Sequence, residues 1–173
     1  MYIAYAVFGR QTQHTRAVSY NSKMNLIQEN TKEVDFFTSL RDIEKWMEIN
    51  MEDYDWHFAD VDGGWAPLEN PRWVTGKELS SKIIEYDYQF VWAVISAYPS
   101  GIEMKLSEIP YADGNPEFWI GSPKKQLDDS LFEIVCWDSS ATLFIGLPDQ
   151  LGQNILKNAP GIKNLDEENK KSG

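Results

Sequence analysis

The chain has 173 residues, 42% hydrophobic and 13% aromatic, which is enough apolar material for one domain with a substantial core and far from the aromatic-poor composition of disordered proteins. Sixteen Lys and Arg against twenty-seven Asp and Glu leave a formal charge of -11, which repels phosphate backbones and argues against nucleic acid as a partner. A single cysteine permits no internal disulfide and no thiol-built metal centre, so the composition calls for no metal and no cofactor.

Met1 to Phe8 is apolar but has no basic residue ahead of it, and Gly9, Arg10 and Gln11 end the run before a signal-peptide core is complete. Nothing approaches the roughly 20 apolar residues of a membrane span. These features predict a soluble protein of the reducing cytoplasm. Tyr2 to Phe8 reads as a first strand, and Arg10 to Gln28 is mixed and polar. Charge is uneven: residues 27–62 hold eleven carboxylates against Lys32, Arg41 and Lys45.

Thr38 or Ser39 can cap a helix running from about Ser39 to Asn50, because Leu40, Ile43, Met47 and Met51 recur at helical spacing while Arg41, Glu44, Lys45 and Glu48 face outward. Thr75 followed by Glu78 is a capping-box pattern and predicts a second helix from Gly76 to Tyr86. Tyr88 to Tyr98 is the longest strand candidate, ended by Pro99 and Gly101, with Ile102 to Leu106 as its hairpin partner. Glu117 to Ile120 suggests a short strand. Leu131 to Leu147 reads as two apolar strands around the turn Asp138-Ser139-Ser140, covered on both faces. A last helix follows Leu147-Pro148 and stops at Ala159-Pro160-Gly161. The expected architecture is a single α+β domain over residues 1–165, an antiparallel-rich sheet with about three helices, and a flexible charged tail over 166–173.

Few residues point to chemistry. His14 lies among polar residues and reads as surface, and His57, between Trp56 and Phe58, reads as a packed, hydrogen-bonded imidazole. No Gly-x-Ser-x-Gly frame, phosphate loop or dinucleotide fingerprint is present, and Cys136 sits in an apolar strand where a thiol is inert. Asp60-Val-Asp62-Gly63 lacks the remaining acid of a calcium loop, so both aspartates read as turn-stabilising. Paired carboxylates with tryptophans also suit a sugar-like or polar substrate, which keeps a small hydrolase open.

The run from Glu48 to Trp65 stands out, because Glu48, Glu52, Asp53, Asp55, Asp60 and Asp62 interleave with Tyr54, Trp56 and Trp65. As a partner-binding face, its charge would speed encounter with a basic protein and its rings would anchor it. As plain structure, its acids would be solvated and its rings turned to the core. Both readings stand at this point.

The segment Pro110-Tyr-Ala-Asp-Gly-Asn-Pro116, with Phe132-Glu-Ile-Val-Cys-Trp-Asp-Ser-Ser-Ala-Thr142, resembles a small bacterial family of unknown function over the C-terminal third. In type, a small acidic α+β protein rich in aromatics is similar to bacterial toxin-immunity proteins. That likeness implies a non-enzymatic inhibitor whose carboxylates meet a basic toxin, with the residues of the acidic run as its contacts.

Overall fold

The computed structural model describes residues 23–102 and 105–172. Two apolar runs form a central hairpin, β5 (Phe132–Trp137) and β6 (Ala141–Pro148). Between them Asp138 and Ser139 take positive φ of 47° and 51°, a conformation that short polar side chains tolerate. Every residue of the pair is buried except Trp137 and Pro148, the pattern of strands covered on both faces.

On one side β5 pairs with β4 (Phe90–Pro99), β4 with β2 (Tyr54–Gly63), and β2 with β3 (Arg72–Val74). On the other side β6 pairs with β1 (Lys23–Glu29), which carries β7 (Ile162–Asn164). The result is a seven-stranded sheet in the order β3-β2-β4-β5-β6-β1-β7, antiparallel throughout, in a single α+β domain.

Period-2 alternation divides the side chains between two faces. Trp56, Phe58, Ala93, Ile95, Phe132, Ile134, Phe144 and Leu26 line the first face, beneath α1 (Leu40–Met47), α2 (Gly76–Glu85) and α3 (Asp149–Asn158). Ser39 Oγ accepts the Asp42 N–H at 3.1 Å and Thr75 Oγ1 accepts the Glu78 N–H at 3.2 Å, so both expected N-caps form. Only half of the capping box is made, because the Glu78 carboxylate turns to Arg72 at 2.8 Å. On the second face Ile27, Val94, Val135, Leu143 and Ile145 pack against Ala112, Phe118 and Leu165.

Several expectations are corrected. The strand at Tyr2 to Phe8 lies outside the described residues, as does His14. Ile102, Lys105 and Leu106 are in no strand, because β2 and β5 already occupy both edges of β4. Pro116–Trp119 is a single 3-10 turn, capped by the Asn115 side chain on the Glu117 N–H at 3.0 Å, in place of the strand at Glu117 to Ile120. The charged tail is helix α4 (Leu165–Ser172). Leu165 is fully buried, Asn169 Nδ2 donates to Phe118 O at 3.0 Å and Gly121 O at 3.1 Å, and the Asp166 carboxylate accepts from Asn25 Nδ2 at 2.9 Å and Ser122 Oγ at 2.8 Å, so a few side chains dock a largely charged segment.

Helix α2 starts against the chain just before β2. A Cβ on Gly76 would sit 2.7 Å from Glu52 Cα and closer still to Tyr54 O, both backbone atoms that cannot step aside. Gly76→Ala is therefore expected to lower the unfolding free energy by about 1–3 kcal/mol in urea denaturation, the usual cost of overpacking. An unchanged midpoint would contradict this close approach.

Candidate functional site

The acidic run expected to bind a partner is mostly architecture. Residues 54–63 are strand β2, so their side chains alternate between the two faces of the sheet. Trp56 is fully buried, with its Nε1–H donating to Met51 O at 2.9 Å, and Trp65 is 5% exposed against Phe58 and Phe90. Neither can anchor a partner. Tyr54 is half-buried against Trp56 and Phe132.

The acids divide as well. Asp55 accepts the N–H groups of Gly76 and Gly101 at 3.0 and 2.6 Å. Asp60, at the bulge of β2 with φ 52°, accepts those of Ala112 and Asp113 at 2.7 and 2.8 Å. Both tie loops to the sheet. Glu48 caps the end of α1 in the left-handed conformation and bonds Asn158 at 2.9 Å, and that bond together with Lys157 holds its carboxyl below the usual range. Glu52, Asp53 and Asp62 are exposed, but Asp53 just precedes β2 and Asp62 is its next-to-last residue, about 30 Å away along an extended strand. They form no single patch.

A different feature occupies the second face. Over β3, β2 and β4 the sheet is not sealed by apolar residues as it is over β5 and β6. Two adjoining cavities of about 400 and 540 Å³ lie there and share Lys105, Leu106 and Glu108 as a common wall. His57 and Trp73 line one and Tyr98 the other. Their rings are in contact: His57 to Trp73 at 5.3 Å and Trp73 to Tyr98 at 4.8 Å between centroids, both edge-on. Register explains the cluster, since His57 pairs with Trp73 on β3 and with Ser96 on β4, while Tyr98 is two residues further along the same face. The lining carries the carboxylates Glu69, Glu108, Asp128 and Asp129 against two cations, Lys105 and Arg72. Arg72 is already paired with Glu78, so the balance is acidic.

Among the described residues His57 Nδ1 and Tyr98 Oη have no hydrogen-bond partner, although His57 is 4% and Tyr98 1% exposed, while the fully buried Ser96 hydroxyl faces the Glu133 carboxyl opposite it. A buried polar group left unpaired costs about 1–3 kcal/mol, so two on one face are an expensive arrangement for a mere core. Burial pushes the His57 pKa down, which keeps the imidazole neutral at pH 7. Burial, with Glu133 and Asp129 nearby, raises the Tyr98 hydroxyl to about 12, so it stays a phenol.

Glu133 pairs with Ser96 across β4 and β5 and is fully buried. Its Oε2 accepts the Gln126 N–H at 2.9 Å and its Oε1 the Leu127 N–H at 2.8 Å. Lys125 Nζ reinforces the same loop by donating to the Asp128 carbonyl at 2.8 Å and to that of Ser130. Glu133 thus fixes one wall of the cleft and does not reach into it. Desolvation lifts its pKa to about 7 against the pull of those two N–H groups and Lys125.

No protein family, curated protein or solved structure matches this chain. Function therefore rests on the site itself. Among the described residues no group of three His, Cys, Asp or Glu side chains gathers to hold a metal ion, and no helix is long and apolar enough to cross a membrane. Cys136 is buried and its thiol is pushed up to about 12 by burial, which excludes a thiolate nucleophile at neutral pH. The cleft can recognise a ligand by charge, ring contact and hydrogen bonding.

Sequence reading placed His57 in a packed environment but supplied it with a hydrogen bond that Nδ1 lacks. It passed over Ser96, Tyr98, Trp73 and the lining acids. The signal for Ser96 and Glu133 was there, as single polar residues inside runs that are otherwise apolar, but only the strand pairing shows that they stand side by side.

Because the folded pKa of Glu133 exceeds that of an unfolded glutamate, the native state holds an extra proton between pH 4.5 and 7. Stability from this group is therefore greatest at low pH and falls as pH rises through 7. Glu133→Gln removes that proton. The stability difference between wild type and the variant is expected to shift by about 3 kcal/mol between pH 4.5 and 7.5, with the wild type losing ground at the higher pH. Parallel stability curves for the two proteins would show that Glu133 titrates normally.

Proposed function

We propose that this protein is a non-enzymatic binding protein that recognises a basic protein partner through the acid-lined cleft on the second face of the sheet, as an immunity protein meets a basic toxin. The observation that carries this reading is the cleft's composition: four carboxylates surround a floor of His57, Trp73 and Tyr98. Carboxylates set on low-dielectric walls draw in cations, and rings supply anchoring area with little entropy to lose. The formal charge of -11 extends the attraction beyond the cleft, so Glu48, Glu52, Asp53 and Asp62 act in steering and not in contact. Glu133, the carboxyl with a raised pKa, has both oxygens occupied by backbone N–H groups and no exposed surface, which supports binding over hydrolysis. The lone buried thiol suits a reducing compartment, and we place the encounter in the cytoplasm.

The test uses the full chain as bait in native cell extract, alongside the triple variant Glu108→Lys, Asp128→Lys and Asp129→Lys. These side chains are exposed, so the variant keeps its melting temperature. Wild type is expected to retain a basic protein that salt releases, and the variant to lose it, with association slowed about tenfold or more at low salt. Equal capture by both proteins, or capture indifferent to salt, would overturn the proposal.

A further inference from the structure

We propose that the floor of the cleft is an arginine pocket, in which a guanidinium group of the basic partner lies against Trp73 and donates N–H bonds to His57 Nδ1 and Tyr98 Oη. This rests on the basic-partner reading and names the group by which the partner is held.

Three features select that chemistry. The first is the set of unpaired atoms. His57 Nδ1 and Tyr98 Oη are buried side-chain atoms without a partner among the described residues, and both residues line the cavities directly. A neutral imidazole offers a lone pair and a phenol hydroxyl can accept, so both can serve one donor-rich ligand. An anion would instead face Glu108, Asp128 and Asp129.

The second is their layout. His57 and Tyr98 share one face of the neighbouring strands β2 and β4, and the rings of both meet Trp73, at 5.3 and 4.8 Å between centroids. A planar guanidinium directs five N–H donors outward in its plane and can bond two separate acceptors at once, whereas an ammonium gathers three around one point. The third is Trp73, which touches both His57 and Tyr98 and provides a ring for the cation.

Both atoms lie beneath the solvent surface, so a guanidinium reaches them only when the cleft wall gives way. Residues 105–109 are that wall: Lys105, Leu106 and Glu108 line both cavities, and the segment contains neither helix nor strand.

Calorimetric titration of the full chain with Nα-acetyl-arginine amide, Nα-acetyl-lysine amide and Nα-acetyl-citrulline amide tests the pocket, with His57→Phe and Tyr98→Phe as variants. The removed His57 Nδ1 and Tyr98 hydroxyl have no partner among the described residues, so both variants should fold, which their melting temperatures check. The arginine probe is expected to bind wild type about tenfold more tightly than the lysine probe, with no binding of neutral citrulline. Each variant should lose about tenfold for arginine, the worth of one hydrogen bond to a charged group. No binding of the arginine probe at millimolar concentration, or equal affinity in wild type and both variants, would overturn the pocket. If both variants still capture the basic partner as wild type does while reversal of the rim carboxylates abolishes capture, the arginine pocket fails and the basic-partner reading stands. If arginine binds and the variants weaken it but no basic protein is retained, the partner reading fails and the pocket survives as a guanidinium site.

Discussion

Everything in this molecule depends on the alternation of side chains along β2 and β4. Each residue of these strands is delivered to one of two faces, and a step of one position exchanges core for cleft. On β2, Trp56 and Phe58 go into the helix-covered core while Asp55 and His57 go to the other side. On β4, Ala93, Ile95 and Ala97 meet the core while Ser96 and Tyr98 oppose it. The same alternation that disperses the acidic run also assembles the row Trp73, His57, Ser96 and Glu133 across four strands.

The second face is consequently built in two halves. Over β5, β6 and β1 it is apolar and closed by Phe118, Trp119, Trp137 and Leu165. Over β3, β2 and the Ser96–Tyr98 end of β4 it is more polar and bears the cleft, while Val94 and Trp92 keep the rest of β4 with the apolar half, and Glu133 stands at the boundary. That carboxyl works as a strut, carrying loop 126–127 on its two oxygens while Lys125 ties the loop's carbonyls. Loop and sheet meet at a carboxyl whose pKa is lifted to about 7 by burial, so the wall of the cleft is attached through a group that changes charge near neutral pH.

Local chemistry made part of this legible in advance. The caps at Ser39 and Thr75, the turn at Asp138 to Ser140 and the apolar hairpin strands each depend on neighbours in sequence, and those elements appear where the sequence puts them. Elements whose partners are remote did not announce themselves. Strand β1 reads as polar in sequence, yet Asn25 and Gln28 are buried, and their hydrogen bonds go to Pro123, Gly146 and Pro160, 98 to 132 residues away. Helix α4 looked like solvent-exposed charge because Leu165 is its one fully buried apolar residue, and Asp166 and Asn169 dock through polar contacts to remote residues. The acidic run was conspicuous for its composition, but a strand turns alternating acids and rings into opposite faces, and composition does not record the side.

The position of β1 has a consequence for the order in which the protein can assemble. It lies between β6 and β7, so both of its hydrogen-bonding edges belong to residues 141–164. As the chain emerges from a ribosome, β1 must wait unpaired while more than a hundred residues are added, and the sheet is completed by its latest strands. Contacts of such long sequence separation make folding slow compared with helical proteins of similar size. During that interval Leu26 and Ile27 are exposed beside unsatisfied backbone, the condition in which a strand recruits a foreign edge. Asn25, Gln28 and the charged ends Lys23 and Glu29 make that strand a poor template for wrong pairings while remaining compatible with the right one.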